Sequence, residues 1–197
     1  MLSQLRPAIV STVFFTLLLG LAYPLAITGI AQAAFPAQAG GGLIHDAKGQ
    51  VIGSALIGQG FAKPEYLHPR PSAAGANGYD ASASSGSNYG PLNPDLAKRI
   101  KGDAAALAAD AGGKPIPADA LTTSGSGLDP DITPENARMQ ATRVAKTRGV
   151  DAAKVVSLVD SQVEGPFLGF IGQPHVNVLK TNLALDAAFG KGQPPKP

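Results

Sequence analysis

The side chains suited to chemistry in this 197-residue sequence are few and scattered. His45, His68 and His175 stand far apart, and none has a second histidine at the spacing a metal site uses, so each reads as a surface or turn residue. Ser124-Gly125-Ser126-Gly127 gathers two hydroxyls but lacks the G-x-S-x-G order that exposes a nucleophile at a strand-to-helix turn, and it reads as a turn. Asp129 and Asp131, with Asp80 elsewhere, offer carboxylates to a cation; flanking Pro130 just before Thr133, the first two fit turn and helix-start positions better. Neither G-x-x-x-x-G-K-S/T nor G-x-G-x-x-G occurs, so both familiar nucleotide cradles are absent. The sequence has no cysteine, hence no disulfide framework and no thiolate metal site. Sixteen Lys and Arg against 14 Asp and Glu leave a net charge of +2, too small and too dispersed for a nucleic-acid-binding stripe. These residues predict a chain without catalytic machinery of its own.

The elements that must carry these residues begin with a membrane anchor. No charged residue appears from Ala8 to Phe35, and about 20 apolar residues already cross a bilayer core as a helix. Arg6 lies on the near flank and the next charges are Asp46 and Lys48, which predicts a cytoplasmic N-terminus and everything after about residue 36 outside the cytoplasm. A cleaved secretory signal is the rival reading, because Ala31-Gln32-Ala33 supplies an A-x-A pattern; the uncharged stretch is longer than a signal's apolar region. Small residues at a spacing of four, Thr16 with Gly20 and Gly29 with Ala33, let another helix approach, and Pro24 predicts a kink. The organisation expected is a cytoplasmic N-terminus and single transmembrane helix over residues 1–35, a linker over 36–42, an extracytoplasmic globular domain over 43–189 and a disordered tail over 190–197.

Within the domain, Leu43-Ile44 and Val51 to Ile57 read as a hairpin around Asp46-Ala47-Lys48-Gly49. Pro69 to Pro94 reads as a long loop, either functional or disordered. Asn93-Pro94-Asp95 starts a helix with Leu96, Ile100, Ala104 and Leu107 on one face, ended by Gly112-Gly113. Thr133-Pro134-Glu135 starts a second, with Ala137, Ala141, Val144 and Ala145 inward until Gly149. A third opens at Asp151, buries Val155, Leu158, Val159 and Val163, and stops at Gly165-Pro166. Val176 and Val178 suit a strand, and Leu183 to Phe189 a short closing helix. Mixed helices and strands predict a small α+β or α/β domain with a small sheet.

Three polar signatures remain. They are Ser85-Gly86-Ser87-Asn88-Tyr89-Gly90-Pro91-Leu92-Asn93-Pro94, preceded by Arg70-Pro71-Ser72-Ala73; Pro117 to Pro134, containing Ser124-Gly125-Ser126-Gly127 and Asp129 and followed by Gln140 and Arg143; and Gly172-Gln173-Pro174-His175-Val176-Asn177-Val178-Leu179, with Asn182 to Asp186 behind it. With them the sequence resembles the C subunit of Kdp-type potassium-transporting ATPases, from the anchor to Asp186. Gln173, where an acid is expected, and Lys180 depart from the pattern.

The resemblance implies a non-enzymatic accessory subunit of a four-subunit, ATP-driven potassium importer in a bacterial inner membrane. Its partners would be the ATP-hydrolysing, ion-path and small subunits. It further implies that the chain stabilises assembly and acts as a catalytic chaperone raising the hydrolysing subunit's ATP affinity, with ATP and potassium handled by partners and no cofactor bound directly. Candidate interface residues are Arg70, Ser85, Gly86, Ser87, Asn88, Ser124, Gly125, Ser126, Gly127, Asp129, Asn177 and Asn182, with Thr16, Gly20, Pro24 and Gly29 for helix packing in the membrane. The alternative is an anchored or secreted extracytoplasmic binding domain unrelated to transport.

Overall fold

Apolar residues on every side of the first helix, and on one side only of the later ones, separate the chain's two parts. The computed structural model describes residues 2–191; residues 192–197 of the expected tail lie outside the described residues. Two compact units result, Met1–Val51 and Ile52–Pro197.

In the first unit, helix α1 (Leu5–Leu17) and helix α2 (Tyr23–Ala34) are joined without interruption through Leu18–Ala22. The whole runs 30 residues and is long and apolar enough to cross a membrane. At 1.5 Å per residue it extends about 45 Å. Pro24, where a kink is expected, sits just after a π-helical stretch in which the Tyr23 N–H bonds the Leu18 carbonyl five residues back. Proline lacks the donor and crowds the preceding turn, and a widened turn relieves both. A short helix α3 (Pro36–Ala39) occupies part of the expected linker. Strand β1 (Leu43–His45) and strand β2 (Val51–Ser54), which begins at the last residue of this unit and runs on into the second, form the predicted hairpin, shorter on its second arm than the apolar run suggests. Asp46 Oδ1 accepts the Lys48 and Gln50 amides at 2.8 and 2.9 Å, and Gly49 takes the left-handed conformation at φ +79°.

In the second unit, helix α4 (Pro94–Ala111) begins at its Asn93 cap, whose side chain accepts the Asp95 amide, and ends at left-handed Gly112. Leu96, Ile100, Ala104 and Leu107 are only half-buried on it. A single turn, α5 (Ala118–Leu121), and strand β3 (Asp131–Ile132) lead to helix α6 (Pro134–Arg148), capped by Thr133 and ended by left-handed Gly149. Helix α7 (Ala152–Ser161) follows its Asp151 cap. Here the structure corrects the sequence reading, because Val163 is not helical. It lies in strand β4 (Val163–Glu164), opposite Val176 of strand β5 (His175–Asn177), where two β-branched residues face each other. Val178 is likewise not in a strand but opens helix α8 (Val178–Phe189), because the Asn177 side chain caps it by accepting the Lys180 amide at 3.1 Å.

The three strands are antiparallel in the order β3-β5-β4. Ile132 and Val176 on the sheet, Ala137, Ala141 and Val144 of α6, Val155 and Val159 of α7, Leu185 of α8 and the lone Leu67 form one core. The α+β expectation with a small sheet agrees with this arrangement.

Candidate functional site

Leu67 reaches the core on a segment with no regular partner strand, so its backbone polar groups need other company when buried. Side-chain amides supply it. Asn182 of α8 accepts the Leu67 N–H at 2.8 Å and donates to the Leu67 carbonyl at 3.0 Å. Gln140 of α6 does the same for His68, at 2.7 and 3.0 Å. Each amide thus stands in for a neighbouring strand's peptide. Arg143 extends the bracing, donating to the Tyr66 and Pro64 carbonyls, to Gln140 Oε1 and, at 2.7 Å, to Asp110. Arg148, its side chain 0% exposed, bonds the Glu65 carbonyl at 2.8 Å, Asp186 at 2.8 Å and the Gly190 carbonyl, and its guanidinium lies over the Tyr66 ring. Tyr66 in turn donates to Asp186. Burial and the nearby Arg143 charge lower the His68 imidazole from its ordinary value, and its ring Nε2 lies 3.1 Å from the Lys63 carbonyl.

Beyond this brace the first two signatures meet. Arg70 pairs with Asp129 at 2.9 Å and reaches the Thr123 carbonyl at 3.3 Å. Ser72 Oγ donates to the Gly127 carbonyl at 2.6 Å and accepts the Tyr79 N–H at 2.8 Å. The Tyr79 hydroxyl donates to the Arg70 carbonyl at 2.7 Å, and burial pushes its pKa up to about 12, so the donor persists through the physiological range. Ser84 Oγ donates to the Ser126 carbonyl and Thr123 to Ser87 Oγ, joining the loop of the first signature to that of the second. Glycine is required where they cross: Gly127 has φ +68°, and a Cβ there would stand 2.5 Å from the Ser85 carbonyl oxygen. A Cβ on Gly86 would come within 3.0 Å of the Gly125 carbonyl oxygen.

The sequence candidates therefore separate. Arg70, Ser85, Gly86, Ser87, Ser124, Gly125, Ser126, Gly127 and Asp129 come together in the paired loops, with Ser124 and Gly127 buried and Ser85, Asn88, Gly125 and Ser126 exposed. Asn88 takes φ +52° at the surface. Asn177 is a neighbour through Asp131, to which it donates at 3.0 Å, and it also holds the Ala55 carbonyl. Asn182 belongs to the Leu67 brace instead. Thr16, Gly20, Pro24 and Gly29 lie exposed on the helix of the first unit. Two braces carried no assigned role in the sequence reading. One is Arg148; the other is Asp119, which accepts from the Thr133 N–H and hydroxyl and from Asn136, fixing the start of α6. Asp119 lies fourteen residues before Thr133, beyond the reach of local capping rules.

Ser124 Oγ lies 3.4 Å from Ser126 Oγ, and a second hydroxyl is no base. Among the described residues no three His, Cys, Asp or Glu side chains are grouped to hold a metal ion. A hollow of about 160 Å³ is lined by Arg70, Asp119, Asp129, Asp131, Thr133 and His175, among others. Burial raises the Asp131 carboxyl above its ordinary value, and the nearby His175 only partly opposes this. A raised folded-state value means that ionised Asp131 costs the native state: the cost is absent below the unfolded carboxylate range and appears as pH rises through the folded value. Asp131→Asn is therefore expected to compare more favourably with the parent at about pH 7 than at about pH 3, below both carboxyl values. Thermal unfolding of both chains at the two pH values checks this, and an equal difference at both would contradict it.

These features define a class: a chain with one membrane-length apolar helix and a small α+β unit whose marked polar residues brace long loops. The chain belongs to the family described as KdpC: K+-transporting ATPase, c chain, which it matches over residues 5–187. It is 71% identical over 189 residues to a protein of a Caulobacter species, covering 96% of each chain. It is 58% identical over 199 residues to one from Beijerinckia indica, covering 100% of each. It is 53% identical over 192 residues to one from Myxococcus xanthus, covering 96% of this chain and 88% of the relative. All three relatives carry the name Potassium-transporting ATPase KdpC subunit.

Proposed function

We propose that the chain is a non-enzymatic accessory subunit of an ATP-driven potassium importer, anchored in the bacterial inner membrane by Leu5–Ala34. Its N-terminus is cytoplasmic and its second unit lies outside the cytoplasm. It stabilises the complex, binds no cofactor directly, and acts as a catalytic chaperone that raises the ATP affinity of the hydrolysing subunit. The observation that carries this is the match to the family over residues 5–187, which takes in the anchor as well as the folded unit. The geometry is in keeping with it. Polar side chains suited to a reaction are engaged in bracing, and the exposed Ser85, Asn88 and Ser126 with the half-buried Arg70, Gly86, Ser87 and Asp129 are proposed as contacts for the ion-path, ATP-hydrolysing or small subunits.

The anchor has its own part. A Cβ placed on Gly20 or Gly29 meets nothing within 4 Å, so the chain's own packing requires no glycine at either position. Their use is the close approach of a neighbouring membrane helix, with Thr16 and Pro24 on the same span. Arg6 on the near flank favours the cytoplasmic N-terminus, which leaves the second unit in a compartment without ATP. The effect on ATP affinity then travels through the anchor as a coupling free energy between separated sites.

The test compares nucleotide affinity of the assembled pump carrying the full chain, a chain ending after Gly42, or no chain. The expected result is tighter nucleotide binding with either version of the chain than with none. Saturable ATP binding to the second unit alone would overturn the route through the anchor.

A further inference from the structure

Between β4 and β5 the chain runs out into a turn that the core does not use. Phe167 and Ile171 face each other across it, each N–H bonding the other's carbonyl at 2.9 Å. Two further backbone bonds, Gly169 N–H to the Pro166 carbonyl at 3.0 Å and Phe170 N–H to the Phe167 carbonyl at 3.3 Å, close the tip. The tip is thus built to one shape. Its side chains point away from the protein: Phe167 and Leu168 are 70% exposed, Phe170 75% and Ile171 50%. Leu168 also adopts φ +53°, a conformation that glycine or asparagine takes at less cost than leucine. Both hydration and backbone preference therefore oppose a leucine here, and neither benefits folding.

From this geometry we infer that the Phe167–Ile171 turn is a preformed knob that docks into an apolar, uncharged socket on a partner subunit of the same complex. The inference rests on the accessory-subunit reading above and names one of its contacts. Charge and shape select a protein socket over a lipid surface. From Gly165 to Pro174 there is no charged residue. At the base of the tip Glu164 holds Lys180 at 2.8 Å, so that ammonium is drawn to a carboxylate rather than left to anionic headgroups. A turn fixed by four backbone bonds suits a socket of matching shape, because a preorganised apolar anchor loses little freedom on docking.

Two measurements on the assembled complex test this. Phe170 is replaced by the photoreactive p-benzoylphenylalanine, and after illumination the expected product is a covalent adduct to a partner subunit, mapped by mass spectrometry. In parallel, Leu168→Asn, which suits the left-handed conformation, is expected to leave the melting temperature of the full chain in detergent unchanged or raised. The same change is expected to lower its recovery with tagged partner subunits by about tenfold, the effect of losing a buried interface anchor. An adduct on lipid alone overturns the inference in favour of a membrane contact. So does an intact complex with no adduct, or recovery of the Leu168→Asn chain equal to the parent's. A parent chain that brings down no pump subunit fails the accessory-subunit reading itself, and so is told apart from failure of the knob.

Discussion

Replacing Arg148 with alanine is expected to destabilise the second unit by about 3–5 kcal/mol, the cost of breaking a buried ion pair from one side. The guanidinium is fully buried and serves the Glu65 and Gly190 carbonyls and the Asp186 carboxylate at once. Its loss strands a nearly buried carboxylate and removes the flat group that Tyr66 packs on. Arg148→Lys keeps the charge but not the fork, and is expected to recover only part of the loss. Denaturant unfolding of the full chain measures the effect, and hydrogen exchange at Glu65, Tyr66 and Leu67 locates it. A cost below about 1 kcal/mol would mean that the brace is redundant.

A methyl group on Gly127 is expected to cost about 2–4 kcal/mol, part from a left-handed backbone and part from overpacking. At φ +68° the new Cβ would stand 2.5 Å from the Ser85 carbonyl oxygen, 2.8 Å from the Ala74 nitrogen and 2.9 Å from the Ala74 Cβ. Backbone cannot yield as a flexible side chain would, so the paired loops must part. Gly125→Ala is the matched control two residues away: its Cβ meets nothing within 4 Å, and a change within about 0.5 kcal/mol is expected. Thermal unfolding of the two variants decides the matter. Equal stability would show that the loops shift freely past each other.

What was legible in the sequence was local. Asn93, Thr133 and Asp151 mark helix starts because a cap and its amide lie within three residues, and Gly112 and Gly149 mark ends because a left-handed residue is needed there. The Asp46–Gly49 turn is equally self-contained. Strand β4 was not legible, because two residues have no periodicity of their own and Val163 is fixed by Val176 across the sheet. Nor was the brace, since Asn182 finds Leu67 from 115 residues away and Gln140 finds His68 from 72. The signatures could be seen as unusual strings of polar residues; that Gln140 and Asn182 complete a backbone while Ser85 and Asn88 face solvent depended on tertiary packing. The apolar turn at Phe167–Ile171 escaped notice for a related reason, because five apolar or small residues read alike whether they enter a core or leave it.

An accessory subunit works in company. The most direct test of that role is to express the full chain with its native neighbours in the membrane, solubilise in mild detergent, purify through a C-terminal tag, and identify what comes with it by intact-mass spectrometry. The expected result is an unprocessed chain that retains Leu5–Ala34 and co-purifies with an ATP-hydrolysing subunit and an ion-path subunit. A mature chain that begins at Ala34, or a full-length chain recovered alone, would contradict it.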